Sequence, residues 1–179
     1  MPALVRAGFA AAALLLGGCS WLGLKPQHSA ELLLLPPQEG PASVMLKQAV
    51  TLVSRRQSVQ FIVASRFDHQ SARLAALMPS GLQLASLEYD GEDLKQTVFV
   101  PMDLPGEQIL ATMQFSLWPE ASLQHLYSPQ AGWRLDIQPL RRQLWYQEEL
   151  FLDVIYDRSR TEVVNYPQGY SVTIQTIEN

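Results

Sequence analysis

Apolar and polar residues alternate along most of the chain, and the alternation is interrupted once. Val44, Leu46, Val50 and Leu52 share one parity, broken by Gln48, while Lys47 and Thr51 take the other. Successive strand side chains point to opposite faces, so this pattern predicts a strand with one buried face. After the polar turn Arg55-Arg56-Gln57-Ser58, Val59, Phe61, Val63 and Phe67 alternate with Gln60 and Arg66. Asp68-His69-Gln70-Ser71 turns into a third strand from Arg73 to Met78. Pro79-Ser80-Gly81 punctuates, and Leu82, Leu84 and Ser86 then alternate with Gln83, Ala85 and Leu87. Tyr89-Asp90-Gly91-Glu92 contains the Asp-Gly pair favoured in tight hairpins, and Gln96 to Val100 predicts a fifth strand.

The period changes after Gly106. Ile109, Leu110, Met113, Leu117 and Trp118 fall at the offsets of an amphipathic helix. Pro105 stands near its start and Glu107 suits the positive N-terminal end. Pro119 ends this helix and opens a second, Glu120 to Tyr127, stopped by Ser128-Pro129. The strand pattern then resumes. Trp133, Leu135 and Ile137 alternate with Arg134, Asp136 and Gln138, followed by Leu140 to Tyr146 and by Leu150 to Tyr156 beyond the Gln147-Glu148-Glu149 turn. Asp157-Arg158-Ser159-Arg160 leads into Val163 to Tyr166, and Tyr170, Val172, Ile174 and Thr176 close the series.

Strands, a helical insert at about 106–127 and strands again predict a mainly β domain. Short antiparallel strands with one buried face fit a sandwich or a barrel. The insert must bury its apolar stripe, and the mouth or interior of a curved sheet is the natural place. No internal repeat is visible, which argues against a propeller or solenoid.

The first 30 residues follow other rules. Arg6 precedes an apolar run from Ala7 to Leu16, about half the length of a membrane-spanning helix, and small residues lead to Cys19. This is the anatomy of a secretory signal peptide. Leu16-Gly17-Gly18-Cys19 resembles the bacterial lipobox. That resemblance implies cleavage before Cys19 and a covalent lipid on Cys19 as the membrane anchor; no other cofactor is expected. Ser20 to about Ser29 has no clear period and reads as a tether, able to reach about 35 Å when extended. By resemblance to enterobacterial lipoproteins, Ser20 in place of Asp favours the outer membrane. Glu31-Leu32-Leu33-Leu34-Leu35, closed by Pro36-Pro37, is either a first strand or a docking segment. The predicted organisation is a leader at 1–18, a lipidated tether at 19–30 and one periplasm-facing domain at 31–179.

Composition narrows the function. Without the leader, 161 of the 179 residues remain, with 12 basic against 17 acidic side chains. That balance argues against nucleic acid as a partner and against a polybasic grip on anionic lipid. Cys19 is the sole cysteine, so no disulfide braces the fold.

With the strands and the insert in place, the chain resembles the LolA/LolB-type lipoprotein carriers, an incomplete barrel covered by helices around an apolar cavity. Ile109-Leu110-Ala111-Thr112-Met113-Gln114-Phe115-Ser116-Leu117-Trp118-Pro119 is similar to the Leu-Ala-(x)-x-Gln-Leu-x-Leu-Trp-Pro signature of an uncharacterised bacterial lipoprotein family. Gln114 to Pro119 is the most specific part. Met78-Pro79-Ser80-Gly81 and Glu88-Tyr89-Asp90-Gly91 match further loops of that family. Its genes often lie beside fatty-acid-synthase-like genes, including aryl-polyene clusters, with an exporter and a LolA-like protein. The resemblance spans residues 31–177.

Catalytic signatures are weak. No Gly-x-Ser-x-Gly elbow occurs, and Ser80 serves a turn more simply than a nucleophilic role. His28, His69 and His125 stand apart, without a second cysteine or a His-Glu-x-x-His pair to complete a zinc site. Glu148-Glu149 and Asp90, Glu92 and Asp93 sit in polar turns, where carboxylates are solvated. No enzyme is predicted. The candidates to line an apolar ligand surface are Phe61, Leu84, Leu110, Met113, Leu117, Trp118, Trp133 and Trp145, with core filling the alternative for each. Arg141-Arg142 reads as a solvated pair or a headgroup contact. The sequence thus points to an outer-membrane lipoprotein that binds an acyl chain or lipidated molecule and assists its delivery, with a periplasmic carrier or exporter as partner. The alternative is an assembly lipoprotein that docks an envelope export machine.

Overall fold

A computed structural model describes residues 30–55, 58–101 and 104–177. The leader, Cys19 and the tether lie outside the described residues. The first meander comprises β1 (Ser43–Ser54), β2 (Ser58–Asp68), β3 (Ala72–Leu77), β4 (Gln83–Tyr89) and β5 (Leu94–Val98). Helices α1 (Gly106–Leu117) and α2 (Glu120–Leu126) follow. The second meander comprises β6 (Trp133–Gln138), β7 (Arg141–Tyr146), β8 (Glu149–Tyr156), β9 (Thr161–Asn165) and β10 (Tyr170–Thr176).

All ten strands form one antiparallel sheet in the order β5-β4-β3-β2-β1-β10-β9-β8-β7-β6. The seam between the meanders is the pairing of β1 with β10, where Val50 faces Ile174 and Leu52 faces Val172. The strands joined by the helical insert, β5 and β6, are therefore the two outer edges. A connection from edge to edge has to cross a face of the sheet, and an apolar helix crossing it buries both surfaces. The expected mainly β fold, an open curved antiparallel sheet covered by helices, is what forms.

Strand parity sets the covered face. Val50, Val63, Phe67, Leu74, Leu87 and Tyr89 are buried there from the first meander, and Leu144, Leu152, Val154 and Val163 from the second. Cross-strand register keeps them together: Val44 faces Phe67, Leu74 faces Leu87, and Val154 faces Val163. Hairpin β7–β8 turns through Gln147 and Glu148, both at positive φ (48° and 67°), as a two-residue turn matching strand twist requires.

The helical insert obeys its predicted bounds, but its buried stripe is shifted. Leu110, Ala111, Gln114, Phe115 and Trp118 are buried, whereas Ile109, Met113 and Leu117 remain half-buried. Two apolar stripes compete on this helix, and the polar Gln114 disguises the one facing the core. Residues 30–36 form no strand; the segment docks instead, with Leu32 and Leu35 almost wholly buried.

Burial pushes the phenols of Tyr89, Tyr127 and Tyr156 above their ordinary value near 10. A raised folded-state pKa contributes stability that is complete below the unfolded value and disappears as pH climbs toward the folded one. The thermal midpoint is therefore expected to hold steady up to about pH 9 and to fall above about pH 10. Tyr127→Phe should flatten that fall in a pH series of melting curves.

Candidate functional site

The docked segment and α1 meet through two glutamines. Leu35 N–H donates to Gln114 Oε1 at 2.8 Å, and Gln114 Nε2 donates back to the Leu35 carbonyl at 2.7 Å. Gln108 repeats the arrangement with Leu32, at 3.2 and 3.3 Å. The Tyr127 hydroxyl accepts from Leu33 N–H at 3.2 Å. Buried backbone needs partners, and here side-chain amides supply what a neighbouring strand would. The side chains of Leu32 and Leu35 meanwhile fill the core.

The end of α1 is held from the opposite side. Arg142 Nη1 donates to the carbonyls of Phe115 and Trp118 at 2.9 and 2.8 Å. A cation at carbonyls left unpaired by the helix end suits the helix dipole. Tyr156 hydroxyl donates to the Ser116 carbonyl at 2.7 Å, and its ring lies 5.8 Å from the Arg142 guanidinium. Arg141 forms a two-pronged pair with the buried Asp153, at 2.8 and 2.7 Å. Arg141 is exposed, as the solvated reading expects, but is also ion-paired to a buried carboxylate, whereas the half-buried Arg142 is turned onto the end of α1.

The sequence-predicted ligand residues separate into three groups. Leu110, Trp118 and Trp133 fill the core. Trp118 lies edge-on to Phe67 at 5.2 Å, and Trp133 joins Tyr127, Tyr146 and Phe151 at 4.7–5.3 Å between centroids. Phe61, Met113 and Leu117 are half-buried against that core. Leu84 and Trp145 lie outside the buried cluster, contrary to the expectation that they share one surface with the others. Leu84 is the unpaired residue at the β3–β4 irregularity, beside the inward row Ala85, Leu87 and Tyr89. Trp145 shares the parity of Arg141 and Gln143, away from Leu144, and carries the Arg134 guanidinium 4.3 Å above its ring.

A strip of the covered face is incompletely shielded where the meanders join. Phe61 and Ile174 flank the buried Val50 from β2 and β10, Leu52 lies opposite Val172 one step along the same face, and all four of Phe61, Leu52, Val172 and Ile174 are half-buried. Sequence reasoning included Phe61 and missed the rest, although Val172 and Ile174 have the inward parity. At the far end of the β3–β4 hairpin, Met78, Leu82 and Phe99 are 36%, 60% and 56% exposed, and Phe99 N–H donates to the Leu84 carbonyl. Among the described residues, no cluster of three or more His, Cys, Asp or Glu is placed to hold a metal ion, and no helix is long and apolar enough to cross a membrane.

An open antiparallel sheet whose edges are bridged by helices, with leucines of an extended segment between, defines the structural class. The chain belongs to the family described as Protein of unknown function (DUF3261), whose model matches residues 45–178. No curated protein sequence matches it significantly. Among solved structures, it is similar to a domain from Vibrio parahaemolyticus provisionally described as an outer membrane lipoprotein-sorting protein. The two share 9% identity over 79% of this chain and 86% of that one, with a TM-score of 0.44.

Proposed function

We propose that this protein is a non-enzymatic, lipid-anchored binder of acyl chains that assists their delivery at the outer membrane. The carrying observation is the half-shielded apolar strip of Phe61, Leu52, Val172 and Ile174, which lies on the helix-covered face. Each methylene exposed to water costs about 0.8 kcal/mol, so such a strip gains by covering an acyl chain. The lipobox supports the location: a diacylated Cys19 would hold the domain at the periplasmic face of the membrane that receives the cargo. A periplasmic carrier or exporter would supply it.

Binding of a dansyl-labelled fatty acid, followed by fluorescence, tests this reading. Binding is expected, with a loss of about tenfold in Phe61→Glu, since a buried charge opposes an apolar ligand. Lack of binding, or equal binding by a folded Phe61→Glu variant, would reject it. The exposed Met78, Leu82 and Phe99 favour a second reading, an assembly lipoprotein docking an export machine through that end. Crosslinking from position 82 in cells that captures a protein, with no acyl ligand bound, would select it.

A further inference from the structure

A concavity of about 750 Å³ lies on the face of β1–β5 opposite the helices. Its charge differs from that of the whole chain. Among the described residues, Lys47, Arg66, Arg73 and Lys95 line it against a single acid, Glu88, whereas the chain carries a net charge of −4. Arg66 stands directly opposite Arg73 in register, and like charges so placed oppose sheet formation. Glu88 offsets Arg73 at 2.9 Å and Asp68 offsets Arg66 at 3.4 Å. Lys47 and Lys95 have no ion pair among the described residues. The row Ala64, Ala75 and Ser86 runs across β2, β3 and β4 beside these cations, giving a recessed floor of small side chains.

We infer that this groove docks an extended acidic segment of a partner protein, laid across the strands. Charge complementarity selects an anion, and the spread of the cations selects a chain of them. From β1 to β5 is four strand spacings, about 19 Å, the span of about six extended residues. A single phosphate cannot reach both lysines, and a flat bilayer cannot reach a recessed floor. The backbone beneath is already paired within the sheet, so recognition falls to the side chains and follows their charge. This inference stands apart from acyl binding, which uses the other face.

The test is fluorescence anisotropy of a labelled octapeptide of alternating Glu and Ser, titrated with the full lipoprotein in neutral detergent. Binding at low salt is expected, weakened at physiological salt and lost about tenfold in Lys47→Glu/Lys95→Glu. Both lysines are exposed and without an ion pair among the described residues, so the melting midpoint should stay unchanged. The alternating Lys and Ser octapeptide should not bind. Absent binding at low salt, or binding indifferent to the lysine reversals, would overturn the inference. So would phosphatidylglycerol vesicles binding more tightly than the peptide with the same lysine dependence, or inorganic phosphate displacing the peptide at equal charge concentration.

Discussion

Gln114→Ala is expected to lower folding stability by about 2–5 kcal/mol, because it leaves the Leu35 N–H and carbonyl without partners in a buried setting. Gln114 is itself fully buried, so water does not readily replace its amide. Urea unfolding should show an earlier midpoint with an unchanged slope. Gln108→Ala should cost less, since its bonds to Leu32 are longer and only partly buried. Equal stability of wild type and Gln114→Ala would mean that the docked segment contributes nothing to the fold.

Trp118→Ala is expected to cost about 3–5 kcal/mol through cavity formation. Its ring is wholly buried against Phe67, and Gly40 packs so closely that an added Cβ would lie 2.6 Å from the indole. Gly40→Ala alone should therefore destabilise by about 1–3 kcal/mol through overpacking. Combining it with Trp118→Ala removes that clash, so the double variant should be less destabilised than the sum. Additive costs in a double-mutant cycle would show that the contact does not restrict residue 40.

These two residues explain the most specific run of the sequence, Gln114 to Pro119. Gln114 clamps the extended segment, Trp118 closes the core over Gly40, and Pro119 begins α2. Strand parity made most of the sheet legible, and the two prolines made the insert legible. What stayed hidden depended on distant partners. Gln114 reads as a polar break in an apolar helix until Leu35 is beside it, and Arg142 reads as solvated until the end of α1 reaches it. Residues 31–35 have no period, so only the helix surface decides that they dock rather than pair. Leu84 misleads because it alternates with Ala85, Leu87 and Tyr89, the residues that face the core, and the β3–β4 irregularity leaves it unpaired. Trp145 is different, since its shared parity with Arg141 and Gln143 was already a signal.

The pairing of β1 with β10 also shapes the order in which the chain can fold. The central seam joins the earliest strand to the latest, with the largest loop-closure entropy in the molecule. Until residues 170–176 have been synthesised, β1 presents an open edge and the first meander lacks its neighbour. Closure of the complete sheet thus waits on β10, and shortening β10 should leave the seam between the meanders unpaired rather than give a slightly smaller sheet.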